Sequence, residues 1–599
     1  MNKNIFALFA FFSLFCFGQH GEENTNGIEP YQQPKKLIEY LNQIDSSYLP
    51  YMFASKEDIA WWKEAKLGVF VHWAPSVVNE APLSWGRAGR KPHHKKDNQK
   101  KGVPEQEYND TYKTFNPTKF NAEEWVKLWK EAGAKYFVFT AKHHYGFCMW
   151  DTKTTDFNVM NTPYGKDVMK EIADACHKYN MRLMWYYSQP DWTHPLYRKE
   201  LPSKEYNEKI LYPQLRELMT NYGKIDGIWF DGLGKHPDTW NSPEMLKIIR
   251  DINPKAIVNH RLGSPDMHMG DFDGPERGIG RFQTNRPWET CEVIGGGWGY
   301  MGEKNAMPYN DVIQLLVKIA GNDGNLLLDT GPRVDGSIIE SHVKRYKQIG
   351  AFLKKYGTSI YGTHGGPYIA GAWGSATHKQ NKVWLHLMGN IENHHFTLPQ
   401  LPATIKSYKV LTGENATIVN NNKGLDVTIN NTTTNTAVII IELELNIDAK
   451  QIKPISTIGE PVFFDASLVA SSEKDKNSSV TNLMPGAKEN FSEGISVKKS
   501  WFPAKEDKTP WLEYSWSKEQ KIDAITIQEG RRIGNNHSVK SFEIQVLKNK
   551  KWKTIYTGNN IGPFFSLQLE KSLYTTKLKI KINELKGNLE VNKVAIYAN

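Results

Sequence analysis

The chain has 599 residues, of which 39% are hydrophobic and 23% are charged. This length and composition exclude wholesale disorder, and we expect roughly two to four domains with a large buried core. The net charge of +10 at pH 7, from 75 basic and 65 acidic residues, is modest and favours acidic partners only weakly.

Aromatic residues make up 12% of the chain, and 19 of them are tryptophans. Such rings offer flat apolar faces with a polar edge, which suits stacking on sugar rings. They are equally typical of the cores of β-rich proteins. Composition alone therefore leaves both interpretations open.

The amino terminus has the pattern of an export signal. Lys3 precedes an apolar run over residues 5–17, which is too short to span a bilayer. Residues 1–18 therefore predict a cleaved signal peptide and an exported protein, either periplasmic or extracellular. Cys16 would suit a lipid anchor, but the bulky Phe15 before it argues against one.

Three further cysteines are present, and they are Cys148, Cys176 and Cys291. Their number is odd and their spacing shows no pairs, so we expect neither a disulfide framework nor a cysteine metal site. No later segment of the chain approaches the length of a transmembrane helix.

From about residue 60 the chain alternates between apolar strands and amphipathic helices. The predicted strands cover residues 67–74, 136–142, 181–188, 227–230, 256–261, 286–294 and 325–331. Strands that alternate with helices of about 10–15 residues indicate parallel βαβ units. Seven or so such units over roughly 300 residues predict an α/β protein with a (β/α)8 barrel.

Polar side chains recur where these strands end, and they are His72, His143, His144, Tyr187, Asp231, Arg261 and Glu289. Catalytic groups of a parallel barrel lie at the carboxyl ends of its strands. In the stretch KIDGIWFDG, Asp231 ends a buried strand, where a carboxylate costs free energy unless it has a partner. Asp231 is therefore the first catalytic candidate. A simple turn at the Asp-Gly pair is the alternative.

Beyond residue 362 the pattern changes to short alternating runs, which are typical of antiparallel β-structure. We therefore predict that a barrel over residues 19–365 is followed by a β-sandwich over residues 366–450. A second β region covers residues 465–599, with strand candidates such as WLEYSW, SFEIQVLK and VNKVAIYA.

Six motifs between about residues 55 and 365 resemble glycoside hydrolase family 29, the α-L-fucosidases. They are GVFVHWAP, AKHHYGFCMWD, WYYSQPDW, IWFDG, WETC followed by GGGWGY, and NLLLDTGPRVDGSI. The resemblance implies a retaining exo-α-L-fucosidase that cuts terminal fucosyl linkages through a covalent intermediate on Asp231. Two alternatives stay open, an endo-acting fucan hydrolase and a catalytically inactive glycan-binding protein.

The resemblance also implies roles for single residues. Asp231 is the nucleophile, and the substrate-binding residues are His72, Trp85, His143, His144, Tyr187 (or its neighbour Tyr186), Arg261 and Trp298. The acid/base is Glu276, in DFDGPERG, with the strand-ending Glu289 as the alternative. Adjacent His143 and His144 should point to opposite faces of a strand, so we expect no catalytic metal and no cofactor for catalysis.

Residues 465–599 resemble a discoidin-type domain of carbohydrate-binding module family 32. The match rests on strand order and scattered aromatic residues. Such a domain binds glycan or only packs against the barrel, and the sequence leaves both open. The resemblance also implies that the domain could hold a structural calcium ion.

A basic run, RAGRKPHHKKDNQKK over residues 87–101, follows the first barrel strand. A solvated loop is the default interpretation of such a run. The alternative is a subsite near the pocket for sulfated fucose-containing glycans. Because the basic residues of this run lie in one loop with no recognised module, we expect no nucleic-acid partner, and no membrane partner is expected either.

Overall fold

The computed structural model describes residues 33–598, except for 81, 90–101, 202, 233–235, 281, 431–436, 458, 485–499 and 531–536. The predicted signal peptide and most of the basic run lie outside the described residues. Within the described ranges, no helix combines the length and the apolar character needed to cross a bilayer. The three cysteines of the described chain are buried and free.

The first part of the chain is built on a parallel sheet of seven strands. They are β1 (Leu67–Val71), β2 (Tyr136–Lys142), β3 (Arg182–Tyr187), β4 (Gly227–Phe230), β5 (Ile257–Val258), β6 (Glu289–Val293) and β7 (Asn325–Thr330). Their order in the sheet is β5-β4-β3-β2-β1-β7-β6. Both faces of β1 and β2 are buried, which explains their continuous apolar sequences.

The edge strands β5 and β6 are joined by a short segment over residues 271–274. On one side, the Asp271 amide donates to the Val258 carbonyl, and on the other side the Glu289 amide donates to the Asp273 carbonyl. This pairing on both sides closes the sheet into a barrel. The predicted α/β barrel is therefore confirmed, with a few residues of backbone in place of a regular eighth strand.

Helices cover the outside of the barrel wall. They are α1 (Lys35–Gln43), α2 (Lys56–Ala65), α3 (Glu105–Asp110), α4 (Ala122–Glu131), α5 (Val168–Lys178), α6 (Pro195–Lys199), α7 (Lys204–Tyr206), α8 (Tyr212–Thr220), α9 (Ser242–Ile252), α10 (Tyr309–Gly321) and α11 (Glu340–Tyr356). Side chains cap the starts of two of these helices that follow barrel strands, with Asn121 capping α4 and Asp167 capping α5.

Two antiparallel sheets follow the barrel. Their strands are β8 (His364–Gly365), β9 (Gly374–Lys379), β10 (Lys382–Leu387), β12 (His395–Leu398), β13 (Ile405–Val410), β14 (Ala416–Asn421), β15 (Gly424–Ile429) and β16 (Ile439–Leu445). The two-residue strand β11 (Asn390–Ile391) lies in the same part of the chain but pairs with a strand of the last domain. The sheet β13-β16-β10-β9-β8 faces the sheet β12-β15-β14 across one apolar core, which includes Trp373, Leu385 and Leu425. This is the predicted β-sandwich.

The last part of the chain is a β-domain with long, bent strands. They are β17 (Glu460–Pro461), β18 (Ser467–Ala470), β19 (Trp511–Glu529), β20 (Val539–Lys548), β21 (Lys551–Gly558), β22 (Phe565–Leu585) and β23 (Val591–Ala598). Register shifts interrupt the pairing of β19 with β22. Such bulges let one long strand bend around a core, and this core has its own buried residues, among them Trp501, Tyr514 and Ile580.

Candidate active site

The carboxyl end of β4 delivers Asp231 to a pocket at the mouth of the barrel. The backbone here is fixed by two side-chain amides. Asn259 accepts from the Phe230 amide at 2.8 Å and donates to the Phe230 carbonyl at 2.9 Å. Gln189 accepts from the Asp231 amide at 3.0 Å. The position of the Asp231 carboxylate is therefore set before any ligand arrives.

Three donors surround the Asp231 carboxylate. Arg261 donates from Nη1 to Oδ1 at 2.8 Å, and the Tyr186 hydroxyl donates to Oδ2 at 2.7 Å. His144 Nε2 lies 3.3 Å from Oδ2. Burial acts to raise the pKa of Asp231, but Arg261, His144 and Tyr186 outweigh it and hold the pKa well below its ordinary value. The carboxyl group is therefore ionised at neutral pH.

Arg261 also reaches a second carboxyl group. Its Nη2 lies 3.5 Å from Oε2 of Glu276, whose Oε1 accepts from Trp298 Nε1 at 3.0 Å. The guanidinium carbon lies 4.7 Å from the ring centroid of Trp229. One cation thus contacts Asp231 and Glu276 together, and indole rings border both contacts.

Three histidines surround this pair, and each is held through Nδ1. His72 bonds to Asp329 at 2.7 Å, His144 bonds to Ser188 at 2.6 Å, and His143 bonds to Ser84. Since Nδ1 is used in each ring, Nε2 is the atom that each histidine offers to a ligand. Three fixed polar atoms with neighbouring aromatic faces suit a ligand with several hydroxyl groups.

The hydrogen-bond partners of the two serines determine the roles of Nδ1 in His143 and His144. The Ser188 hydroxyl donates to the Pro190 carbonyl at 2.8 Å, so it accepts from Nδ1 of His144. Nε2 of His144 is then the ring atom that faces Asp231. The adjacent ring differs, because Ser84 accepts from the Tyr145 amide and has its own proton for Nδ1 of His143.

Neutral His143 therefore carries its single proton on Nε2. Burial lowers the pKa of His143 well below its ordinary value, and the nearby His144 and His72 add to this effect. The neutral ring of His143 thus lies beside the His144 ring that contacts Asp231.

One set of side chains in the described chain has the spacing of a metal site. One ligand atom from each of His143, His144 and Asp231 lies within 4.8 Å of the others. The expectation that the two histidines point to opposite faces was wrong, because β2 ends at Lys142 and both residues lie in the turn that follows. The Arg261 guanidinium already neutralises Asp231 and would repel a divalent cation.

The prediction was also wrong at Tyr187. Successive residues of a strand point to opposite faces, so Tyr186 reaches Asp231 inside the barrel and Tyr187 points outward. The Tyr187 hydroxyl donates to Gln214 at 2.6 Å and accepts from Lys142 at 3.0 Å. The tyrosine of this pocket is Tyr186, which the sequence analysis named only as the alternative.

Glu289, the alternative acid/base, does not reach the pocket. It begins β6 instead of ending it, so it lies at the amino end of the barrel, opposite Asp231. The residue is 1% exposed, and its carboxyl oxygens accept from Trp229 Nε1 and the Tyr136 hydroxyl. Of the two proposed acids, only Glu276 lies beside Asp231.

Two more aromatic residues belong to the pocket. Trp85 lies edge-on to the rings of His144 and Trp192, at centroid distances of 5.8 and 5.2 Å. Trp229, which packs against Arg261 and Tyr186, was not among the predicted residues. Its position two residues before Asp231 puts it on the same strand face, and that spacing could have identified it.

Comparisons with known proteins agree with this geometry. The family model described as Alpha-L-fucosidase matches residues 41–358, and the F5/8 type C domain model matches residues 467–597. The human tissue alpha-L-fucosidase is 30% identical over 349 residues, which is 55% of this chain and 73% of that protein. The plasma alpha-L-fucosidase of the rat is 31% identical over 325 residues, which is 51% of this chain and 71% of that protein.

Two solved structures show the same architecture. Alpha-L-fucosidase isoenzyme 1 from Paenibacillus thiaminolyticus covers 65% of this chain and 99% of its own, with a TM-score of 0.58 and 29% identity. The alpha-L-fucosidase from Vibrio sp. strain EJY3 covers 91% of this chain and 98% of its own, with a TM-score of 0.61. At 19% identity, the Vibrio structure supports the fold alone.

Glu289 yields a test of the barrel interior. Burial raises its pKa from 4.5 to about 7, against the opposing hydrogen bonds from Tyr136 and Trp229. Between these two values the unfolded chain releases a proton that the folded chain keeps, so the free energy of unfolding falls as pH rises, by about 3 kcal/mol. Glu289→Gln has no such proton, so its stability should fall less steeply. Urea unfolding across this pH window measures the difference, and parallel curves would contradict the raised pKa.

Proposed function

The chain belongs to the α-L-fucosidase family, glycoside hydrolase family 29, and on this premise we propose that it is a retaining exo-α-L-fucosidase. The observation that carries the proposal is the pair formed by ionised Asp231 and Glu276 on one guanidinium. A retaining glycosidase needs a nucleophile and an acid/base about 5–5.5 Å apart. Two carboxyl groups that contact the same Arg261 suit that requirement.

In the first step, Asp231 attacks C1 of the terminal fucose. The bond from C1 to the leaving oxygen breaks, a bond from C1 to a carboxylate oxygen forms, and the proton of Glu276 moves to the leaving oxygen. The ester has lost the negative charge, so the bonds from Arg261, His144 and Tyr186 weaken at this stage. They strengthen again as the carboxylate departs, which favours breakdown of the intermediate.

In the second step, Glu276 takes a proton from water as the water oxygen attacks C1. The bond from C1 to Asp231 breaks, free fucose leaves with its original anomeric configuration, and Glu276 is protonated again. The histidine Nε2 atoms are proposed to hold the sugar hydroxyls, and Trp298 to cover the apolar part of the ring. Trp229 lies beneath Arg261 and is only 2% exposed, so it supports the pocket from below.

The natural glycan is a separate question from the reaction. Residues 90–101 of the basic run lie outside the described residues. Arg87, at the start of that run, is buried and donates to Glu105 and Asn109, so it is used within the fold. A sulfated fucoside as the substrate of this pocket remains our proposal from the sequence, as does export.

Product analysis tests the whole proposal. The wild-type enzyme should release free fucose from a panel of α-1,2-, α-1,3/4-linked and sulfated fucosides. Asp231→Ala should lower kcat by about 10³-fold or more, because no other group on the pocket floor can form the ester. Azide should restore turnover of an aryl fucoside by this variant with inverted configuration. Oligosaccharides without free fucose would favour the endo alternative, and no product at all would favour an inactive binding protein.

Leaving-group dependence tests the role of Glu276. Glu276→Gln should slow hydrolysis of a fucosyl disaccharide by about 10²–10⁴-fold, because the departing sugar needs a proton. A dinitrophenyl fucoside needs none, so its first step should hardly change. Glu289→Gln is the matched control and should leave the ratio between the two substrates unaltered. A ratio that changes only in the Glu289 variant would refute the assignment.

The two adjacent tyrosines give a paired test of strand geometry. Tyr186→Phe removes a hydrogen bond to ionised Asp231, worth about 1.5–3 kcal/mol, so kcat/KM should fall roughly 10- to 100-fold. Tyr187→Phe removes a buried bond outside the pocket, so it should lower stability and leave kcat unchanged. Steady-state kinetics with thermal unfolding separates the two effects. Equal losses of kcat in both variants would contradict the assignment.

A further inference from the structure

Most of the charge excess of this protein lies outside the catalytic barrel. Residues 465–599 contain 22 Lys and Arg against 15 Asp and Glu, so this part contributes +7 of the total net charge of +10. Its two arginines, at positions 531 and 532, fall outside the described residues. The excess positive charge among the described residues of this part therefore comes from lysines.

Strand β22 displays a row of these lysines. Lys577, Lys579 and Lys581 alternate with Leu578 and Ile580, which are at most 2% exposed in the core. Alternate residues of a strand share a face and lie about 7 Å apart. In the edge strand β21, Lys551 and Lys553 flank Trp552 and therefore point to the opposite face from it. A row of three lysines, all from β22, thus lies on one outer face of the domain.

Two tryptophans flank the middle lysine of this row. The Lys579 ammonium lies 4.7 Å from the ring centroid of Trp511 and 4.3 Å from that of Trp552. Trp552 is 37% exposed, so part of its indole faces solvent. We call the surface formed by Trp511, Trp552 and the three lysines of β22 the lysine–tryptophan face.

The charges on this face are only partly compensated. Glu513 accepts from Lys577 at 2.8 Å and from Lys579 at 3.0 Å. Glu543 lies opposite Lys581 in the pairing of β20 with β22. Three lysines therefore face two glutamates, and their charges sum to +1. The surface also lies on a broad sheet of four strands, so it suits an extended ligand better than a small one.

We infer that the lysine–tryptophan face binds a sulfated polysaccharide, with sugar rings against the indoles and sulfate esters at the lysines. Aromatic faces without arginine forks fit a sugar chain better than the phosphates of nucleic acid, which arginine binds in bidentate fashion. This inference does not depend on the proposed reaction. It would add a second attachment to a polymeric glycan and raise the local concentration of chain ends at the barrel.

Dextran sulfate and unmodified dextran are suitable probes, because they share a backbone without fucose. The full-length protein should bind dextran sulfate and not dextran in titration calorimetry, and the affinity should fall as salt rises. Replacing Lys577, Lys579 and Lys581 together by Gln should weaken binding at least tenfold. Trp552→Ala should also weaken binding of dextran sulfate. The fold-loss should be the same at low and high salt, because stacking is not ionic.

A matched variant controls for net charge. Lys505, Lys571 and Lys586 are exposed in the same domain but outside this face, and their replacement by Gln should leave affinity within about twofold. Equal losses in the two triple variants would overturn the inference, as would equal binding to dextran or tighter binding to double-stranded DNA. Thermal unfolding identifies a variant that fails to fold. If the triple lysine variant does not fold, the binding affinity of Trp552→Ala tests the inference, because an exposed site tolerates the substitution. Hydrolysis of a small fucoside should be unchanged in all of these variants. A failure of the binding inference can therefore be distinguished from a failure of the proposed reaction.

Discussion

The guanidinium of Arg261 is the group on which the pocket depends. Burial alone would favour the protonated form of Asp231, and a protonated carboxyl group is a poor nucleophile. Arg261 reverses that preference and at the same time draws Glu276 to the same edge of the barrel. Its own position comes from stacking on Trp229 and from the Gly274 carbonyl, which accepts from Nη2 at 3.3 Å. Two strand ends and the closing segment of the wall therefore meet at one side chain.

The sequence predicted the barrel, the succession of its strands along the chain and Asp231 at a strand end, because apolar runs and their polar ends are local properties. It did not predict which tyrosine faces inward, because β3 is buried on both faces and its sequence shows no alternation. The prediction at Glu289 depended on a strand boundary. A strand over residues 286–294 leaves Glu289 near its middle, but the observed strand begins there. The closing segment was not predicted, because residues 271–274 carry no apolar run.

Hydrogen positions are a second property that sequence pattern does not determine. Ser84 and Ser188 are distant in the chain from the ring that each one orients, yet one supplies a proton and the other accepts one. The sandwich links this pocket to the last domain by direct contacts. Asn390 pairs with Leu567 between β11 and β22, and the Ser566 hydroxyl donates to the Ala372 carbonyl at 2.8 Å. The lysine–tryptophan face is thus attached to the catalytic part through ordered backbone.

The short joint between β5 and β6 also has a consequence for motion. On the side of the two-residue strand β5, two backbone hydrogen bonds hold the joint, from the Asp271 amide to the Val258 carbonyl and from the His260 amide to the Phe272 carbonyl. Local opening has its lowest free energy where a cooperative unit has the fewest bonds. Glu276 follows the joint and is tied to β6, because the residues on either side of it bond to Cys291. Local opening of the barrel wall at this joint would move Glu276 while β4, which carries Asp231, stays in place. Leaving groups of different size could then depart past Glu276 without displacing the nucleophile.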